Sequence, residues 1–416
     1  MDLPAKAQNN FRIPELDGIR GLAILLVVIC HYFVADPHGT PNFPFRLVTD
    51  IDCLFWCGVD LFFVLSGFLI GGILMDQRNS AGYFKIFYIR RACRILPVYI
   101  LSISLFFLVI ALFPVVVRSG WYSVEFRQLP HVPAWSYFLF VQNFWMAKLN
   151  DYGPAWTGTT WSLCVEEHFY LLAPLTIWLL PLRKLPFLLV PLIILMPVFR
   201  LYLYLYHSSI YMHVFTPCRM DGLLLGMMCA WLVRNKKHDD LVRQKMDWLY
   251  VTLTILFCGM IYLTFFQARA GWFEGLNSFE MILFGYSWIS LFFACFLLVV
   301  ITSVTSPLAY MMRNPWLRRL GVISYCVYMV HEPVDDFVHH FIYGKDNTNV
   351  NNFLDASAAL MSFAIVWLIA SASWRFFEKP IITWGHSFLY RGDKVPENRD
   401  AAMNPQSKEN SPEIST

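Results

Sequence analysis

Charge is what this chain is short of. Asp, Glu, Lys and Arg make up only 15% of its residues, while 57% are hydrophobic and 17% aromatic. Soluble domains carry roughly a quarter charged residues, so the shortage excludes an ordinary soluble class. The apolar residues gather into runs of about 20, which is bilayer length rather than core-helix length. A net charge of +3 leaves no basic excess, and no nucleic-acid partner is expected. Metal-spaced cysteines are also missing. Of ten, Cys30, Cys164, Cys229, Cys258, Cys295 and Cys326 lie inside apolar runs, and Cys53 and Cys57 have no His or Cys pair beyond them. They read as small hydrophobes in helices, with no metal site and no disulfide frame expected. Residues 1–20 mix acids with bases, so the first apolar run is read as a retained span rather than a cleavable signal. No tandem repeat, and no inverted repeat between the halves, is evident.

What is present is a series of spans at about 19–37, 53–75, 95–113, 160–181, 185–205, 212–233, 247–266, 279–304, 322–342 and 353–377. A shorter stretch, 134–149, holds Gln142, Asn143 and Lys148, and whether it crosses decides the topology of everything after it. If it does not, and the N-terminus is cytoplasmic, 24 of the 32 Lys and Arg residues fall on inner segments. If it did, the clusters RNKKHDDLVRQK and RNPWLRR would face outward, against the positive-inside rule. The expectation is an all-α polytopic membrane protein with about ten transmembrane helices and both termini cytoplasmic. The 134–149 stretch is then interfacial or re-entrant, with Trp135 and Trp145 at headgroup level. Residues 1–18 form a cytoplasmic segment, 19–385 the transmembrane domain, and 386–416 a disordered cytoplasmic tail.

The stretch LDGIRGLAILLVVICH organises the chain. Arg20 and His31 are eleven positions apart, so at about 100° per residue they share one helix face, with His31 roughly 16 Å deeper. An ionisable group at mid-bilayer reads by default as functional. The second span carries Asp60 and, deeper, Ser66 beside Gly67. The cytoplasmic stretch YFKIFYIRRACRILPVY places Arg91 and Arg94 at i, i+3 on one face. A positive-inside loop explains such residues without chemistry, whereas guanidinium pairs also suit phosphate, and with Arg20 they could hold a phosphorylated cosubstrate. In TGTTWSLCVEEHFYLL, Ser162, Glu166 and Tyr170 form one stripe. Glu166 lies about 9 Å below the outer end, against roughly 13 Å for His31, near enough to orient the imidazole. Arg219 and Asp221 read as an internal pair. Ser324 and His331 share a face of the ninth span, with Tyr325 and Tyr328 beside them. Glu378 and Pro380 read as a helix stop.

Taken together, the pieces LDGIRGLAILLVVICH, GVDLFFVLSGFL, RRACRILP, WSLCVEEHFYL, CRMDGLLLG, ISYCVYMVHEP and FFEKP run in one order from residue 16 to about 380. In that order the chain resembles the acyltransferase 3 family of integral-membrane acyltransferases, which includes O-antigen and exopolysaccharide O-acetylases. The resemblance implies ten transmembrane helices in a bacterial inner membrane. It also implies transfer of an acyl group, commonly acetyl from acetyl-CoA, to a hydroxyl of an extracytoplasmic glycan or lipid-linked acceptor. It points to His31 as the essential histidine and to Arg20, Arg91 and Arg94 as further functional positions. Some members carry a C-terminal SGNH esterase-like domain. About 25 polar residues follow the last span here, so that domain is not expected. His168 stands where the pattern leads one to expect glutamine.

The mechanism that follows has coenzyme A approaching from the cytoplasm, its phosphates on Arg91, Arg94 and Arg20. No tightly bound cofactor is expected. His31 takes the acceptor's proton, oriented by Glu166 or Asp60. The oxyanion donor is open among Ser66, Trp161, Ser162 and Tyr328, and His331 is a second site histidine or a structural one. A covalent route through His31 or Cys164 is less economical. The rivals are a proton-coupled transporter, which also keeps His, Asp and Glu in its helices, and a non-catalytic glycan scaffold.

Overall fold

The computed structural model describes residues 13–33, 55–112, 132–207, 209–270, 278–342, 344, 350 and 352–390. Among these there are ten helices of 17 residues or more and no strand. They are α1 (Pro14–Tyr32), α2 (Gly58–Asp76), α3 (Tyr83–Leu112), α4 (Trp161–Leu179) and α5 (Leu185–Tyr204). After these come α6 (Thr216–Arg234), α7 (Met246–Ala270), α8 (Tyr286–Thr302), α9 (Pro315–Phe337) and α10 (Phe353–Ser373). Each falls on one of the expected apolar runs. Six of them, α2, α3, α5, α7, α8 and α10, are apolar enough to cross a bilayer by composition and length. Each of the other four carries ionisable groups within its span: Arg20 with His31, Glu166 with Glu167, Arg219 with Asp221, and His331 with Glu332.

The helix ends have local causes. Pro14 occupies the first turn of α1, with Glu15 and Asp17 against the positive end of the helix dipole. Asn314 and Asn352 cap α9 and α10 by accepting two backbone N–H groups each. Residues 134–149 do not make one long helix. They form Ala134–Phe138 and Gln142–Leu149, broken at Phe140, whose φ is 54°. Eight residues span about 12 Å, too short for a hydrocarbon core of about 30 Å. Their polar side chains tie the bundle together. Gln142 donates to Tyr99 Oη and Thr160 Oγ1, and Asn143 to Thr216 Oγ1 and the Val214 carbonyl.

Two helix pairs form the centre, α1 with α9 and α2 with α6. Backbones touch there because glycine permits it: a Cβ on Gly67 would overlap the Leu223 carbonyl, and one on Gly226 the Val64 carbonyl. Polar contacts gather the basic segments at one end of the bundle. Arg313 pairs with Glu15, Arg234 with Asp76, Arg78 with the Trp178 carbonyl, and Trp231 with the Leu182 carbonyl. Arg243 likewise reaches the Thr302 carbonyl. Leu171, Ile194, Leu360 and Leu368 are exposed on the outside, as side chains facing lipid must be.

Two expected boundaries move. Residues 14–18 already belong to α1 rather than to a separate N-terminal segment. At the other end the chain does not stop at Glu378. A π-helical turn, Trp374–Glu378, leads into a short helix, Lys379–Gly385, where Pro380 sits in the first turn, a position that tolerates its missing N–H. Residues 386–390, read as the start of the tail, fold back on α3: Arg90 donates twice to the Phe388 carbonyl and stacks on Tyr390, which is buried. The rest of the tail, 391–416, and Cys53 lie outside the described residues.

Candidate active site

A cavity opens in the middle of the bundle. Arg20 of α1, Arg91 and Arg94 of α3, Ser66 of α2, Ser162, Glu166 and Tyr170 of α4, and Tyr328 of α9 line it. The i, i+3 spacing of Arg91 and Arg94 turns both guanidinium groups toward the same space. Neither has a hydrogen bond or ion pair among the described residues; Arg91 only stacks on Phe87. Arg20 has Asp17, at 3.6 Å. Two unpaired cations in a half-buried cavity are costly unless an anion visits them. Their field reaches the bundle end: partial desolvation first, then Arg90, Arg91 and Arg94, hold the imidazole of His386, an exposed residue, below its usual range.

One turn further along α4 the chemistry changes sign. Glu166 faces the cavity and accepts from Ser66 Oγ at 2.9 Å and from Tyr170 Oη at 2.6 Å. It makes no hydrogen bond to His31, so the contact expected to orient the ring is not made from here. Asp60, the other candidate for that task, is also elsewhere: it is 1% exposed and paired with Arg219 at 2.9 Å. Arg219 in turn is enclosed by the ring faces of Tyr286, Trp56, Trp161 and Phe63. The expected Arg219–Asp221 pair is therefore replaced by two cross-helix pairs, because Asp221 binds Arg200, also at 2.9 Å. Residues two apart on a helix point away from each other.

The cavity ends at a hydroxyl pair. Ser162 Oγ and Tyr328 Oη lie 2.6 Å apart, and both reach the Thr159 carbonyl. Behind Tyr328 sits His331, ring to ring at 5.8 Å, and against His331 sits His31, at 4.9 Å. His31 does not line the cavity; it lies one layer of side chains beyond it and is 30% exposed. Its hydrogen bonds fix its tautomer. Nδ1 is 2.8 Å from the Val27 carbonyl, which can only accept, so Nδ1 carries a proton. By the same logic His331 Nδ1 donates to the Tyr328 carbonyl at 2.8 Å, leaving its Nε2 lone pair toward His31 Nδ1 at 3.3 Å. Glu332 Oε1 faces the remaining nitrogen, Nε2, at 3.1 Å; a proton bridges that contact, and only with it gone is the Nε2 lone pair free for exchange. Glu332 thus occupies the place expected of Glu166 or Asp60. The HEP triplet held this carboxylate in plain view, but its partner lies 301 positions away in sequence.

The remaining candidates separate. Ser66 belongs to the Glu166 cluster, and Trp161 packs on His213 and Arg219. Cys164 is buried against the Thr160 carbonyl and does not line the cavity, which gives the covalent route through it no opening. His168 stacks on Phe144 and bonds Thr216 Oγ1 at 2.7 Å, a structural tie.

The sequence matches the family described as an acyltransferase domain over residues 13–371. It is 28% identical over 404 residues to the peptidoglycan O-acetyltransferase OatA of Listeria monocytogenes, covering 92% of this chain and 58% of that protein. A provisionally named O-acetyltransferase of Staphylococcus aureus is 27% identical over 407 residues, covering 92% and 60%. A provisionally named peptidoglycan O-acetyltransferase of Bacillus subtilis is 26% identical over 404 residues, covering 91% and 56%. The chain thus spans less than two thirds of the length of these relatives. No solved structure matches it. With the family's domain extending over nearly the whole helical bundle, the chain is a multi-pass bacterial membrane protein that belongs to the acyltransferase family.

Proposed function

We propose that the protein moves an acetyl group from cytoplasmic acetyl-CoA to a hydroxyl of an extracytoplasmic glycan, peptidoglycan being the acceptor class of its relatives. The observation that carries this is the pair Arg91 and Arg94, lacking any hydrogen bond or ion pair among the described residues and open to a cavity that points at the His31 layer. The bundle end that gathers the basic segments is the cytoplasmic one under the positive-inside rule. Bound there, CoA phosphates would lie roughly 16 Å below His31. A pantetheine arm has two amide bonds in a backbone about as long as four residues, about 14 Å when extended, which matches that depth.

The acceptor hydroxyl arrives from the other side and reaches His31, which is 30% exposed. Its oxygen attacks the thioester carbonyl carbon while its proton passes to His31 Nε2. Glu332 stabilises the imidazolium so formed, and the Val27 carbonyl keeps the ring in its tautomer. When the C–S bond breaks, the leaving thiolate takes that proton back. Among the oxyanion candidates, Ser162 and Tyr328 suit the task best because their hydroxyls close the cavity on the side of His331 and His31. Ser66 lies a turn too far inward, and Trp161 faces Arg219.

The test is direct. Purified protein in nanodiscs is given acetyl-labelled acetyl-CoA and a glycan acceptor, and label in the glycan is followed. Transfer that disappears in His31→Ala, with expression unchanged, supports the reading. Failure of the unaltered protein to bind or consume acetyl-CoA would sink it.

A further inference from the structure

A carboxylate is an odd neighbour for phosphates. Glu166 lies in the same cavity as Arg20, Arg91 and Arg94, about one helical turn toward the outer side from Tyr170. It is held in place by two hydroxyl donors rather than by a cation: Ser66 from α2 and Tyr170 from its own helix. Each hydroxyl satisfies one carboxylate oxygen, and each oxygen keeps a further lone pair. None of the three guanidinium groups bonds it. The cluster is therefore a fixed acceptor without a strong donor, on the wall between a phosphate-suited mouth and the outer hydroxyl pair. The arm of coenzyme A offers two amide N–H groups along that path, and nothing else among the lining residues at this depth carries a charge to receive one.

We propose that Ser66, Glu166 and Tyr170 form the recognition point for an amide N–H of the cosubstrate's pantetheine arm. Glu166 accepts the bond, while Ser66 and Tyr170 are positioning residues that aim it. The cluster makes the cavity selective for thioesters borne on a peptide-like arm, separately from the phosphates that the arginines hold. The assignment rests on the reading of the cavity as an acyl-CoA site.

The experiment measures affinity in nanodiscs for CoA and for 3′,5′-ADP, which keeps the phosphates of one end and lacks the arm. Two CoA analogues are added, each with one arm amide replaced by an ester that has no N–H. The unaltered protein should lose about 10-fold in affinity for one of the esters, the scale of a hydrogen bond to a charged group. Glu166→Ala should bind CoA about 10-fold more weakly, bind 3′,5′-ADP unchanged, and no longer distinguish the esters from CoA. Glu166→Gln, which keeps an acceptor, should recover part of the difference. Ser66→Ala and Tyr170→Phe should each erode it with the carboxylate intact. Equal losses for CoA and 3′,5′-ADP in Glu166→Ala, or esters bound as well as CoA by the unaltered protein, overturn the assignment and leave the cluster as a tie between α2 and α4. No CoA binding by the unaltered protein would overturn the acyl-CoA reading itself.

Discussion

Replacing Glu332 by glutamine keeps the side chain's shape and removes its charge. In the native site its Oε1 faces His31 Nε2 at 3.1 Å, with the two side chains 16% and 30% exposed. At about 4 Å and an effective dielectric constant of roughly 20, a carboxylate stabilises an adjacent imidazolium by about 4 kcal/mol. The imidazolium exists only after His31 has taken the acceptor's proton, so the loss falls on the transition state. At 1.36 kcal/mol per tenfold, kcat should drop by about 10³. An amide has a further defect, since its N–H can turn toward Nε2 and occupy the lone pair that must accept the proton. The assay is the initial rate of acetyl transfer at saturating acetyl-CoA, with CoA affinity measured in parallel. Affinity should not move, because Glu332 lies outside the cavity lined by the arginines. A kcat within threefold of the unaltered protein, with CoA still bound, would remove Glu332 from the reaction and leave His31 without its partner.

Three further outcomes are expected. Arg91→Ala and Arg94→Ala should each weaken CoA binding by about 10- to 100-fold, the range for a charge-assisted hydrogen bond, and the loss should shrink as salt is raised. Asp60→Asn should destabilise the protein by about 3–5 kcal/mol in thermal unfolding, because it strands Arg219, itself 1% exposed; Asp60→Leu combined with Arg219→Met should restore much of that. His386 is held below the usual range by partial desolvation and by three arginines, so phosphates arriving on Arg91 and Arg94 relieve the repulsion and raise its pKa. CoA binding should then take up a proton, affinity should rise as pH falls through the window just below the ordinary histidine range, and His386→Asn should abolish the uptake seen by calorimetry in buffers of different ionisation heat.

The parts of the site that share one helix were readable from spacing alone. Arg91 with Arg94, and Ser162 with Glu166 and Tyr170, depend only on the 3.6-residue repeat, and the structure turns each set into one cavity. What failed was inference across helices. Depth alone pairs Glu166 with His31, but depth says nothing about azimuth, and its stripe faces Ser66 instead. Closeness in sequence pairs Arg219 with Asp221, although the helix separates them and sends one to Asp60 and the other to Arg200. Glu332 adjoins His331 in sequence, which hides that it faces another ring. Its ring partner is the other one, His31. Gln142 and Asn143 belong to the stretch whose sequence reads as interfacial or re-entrant. They are the bonds that hold a broken segment on top of α3, α4 and α6.

The division between the six self-sufficient helices and the four polar ones bears on how the chain is assembled. α1, α4, α6 and α9 would be poor substrates for insertion one at a time, since each brings charges that lipid cannot solvate. Their charges find partners on helices that emerge much later: Arg313 for Glu15, Glu332 for His31. The contacts around the earliest helix are therefore complete only once the ninth is made. Biogenesis and catalysis depend on the same contacts, and substitutions at the His31 layer will need yields measured beside rates.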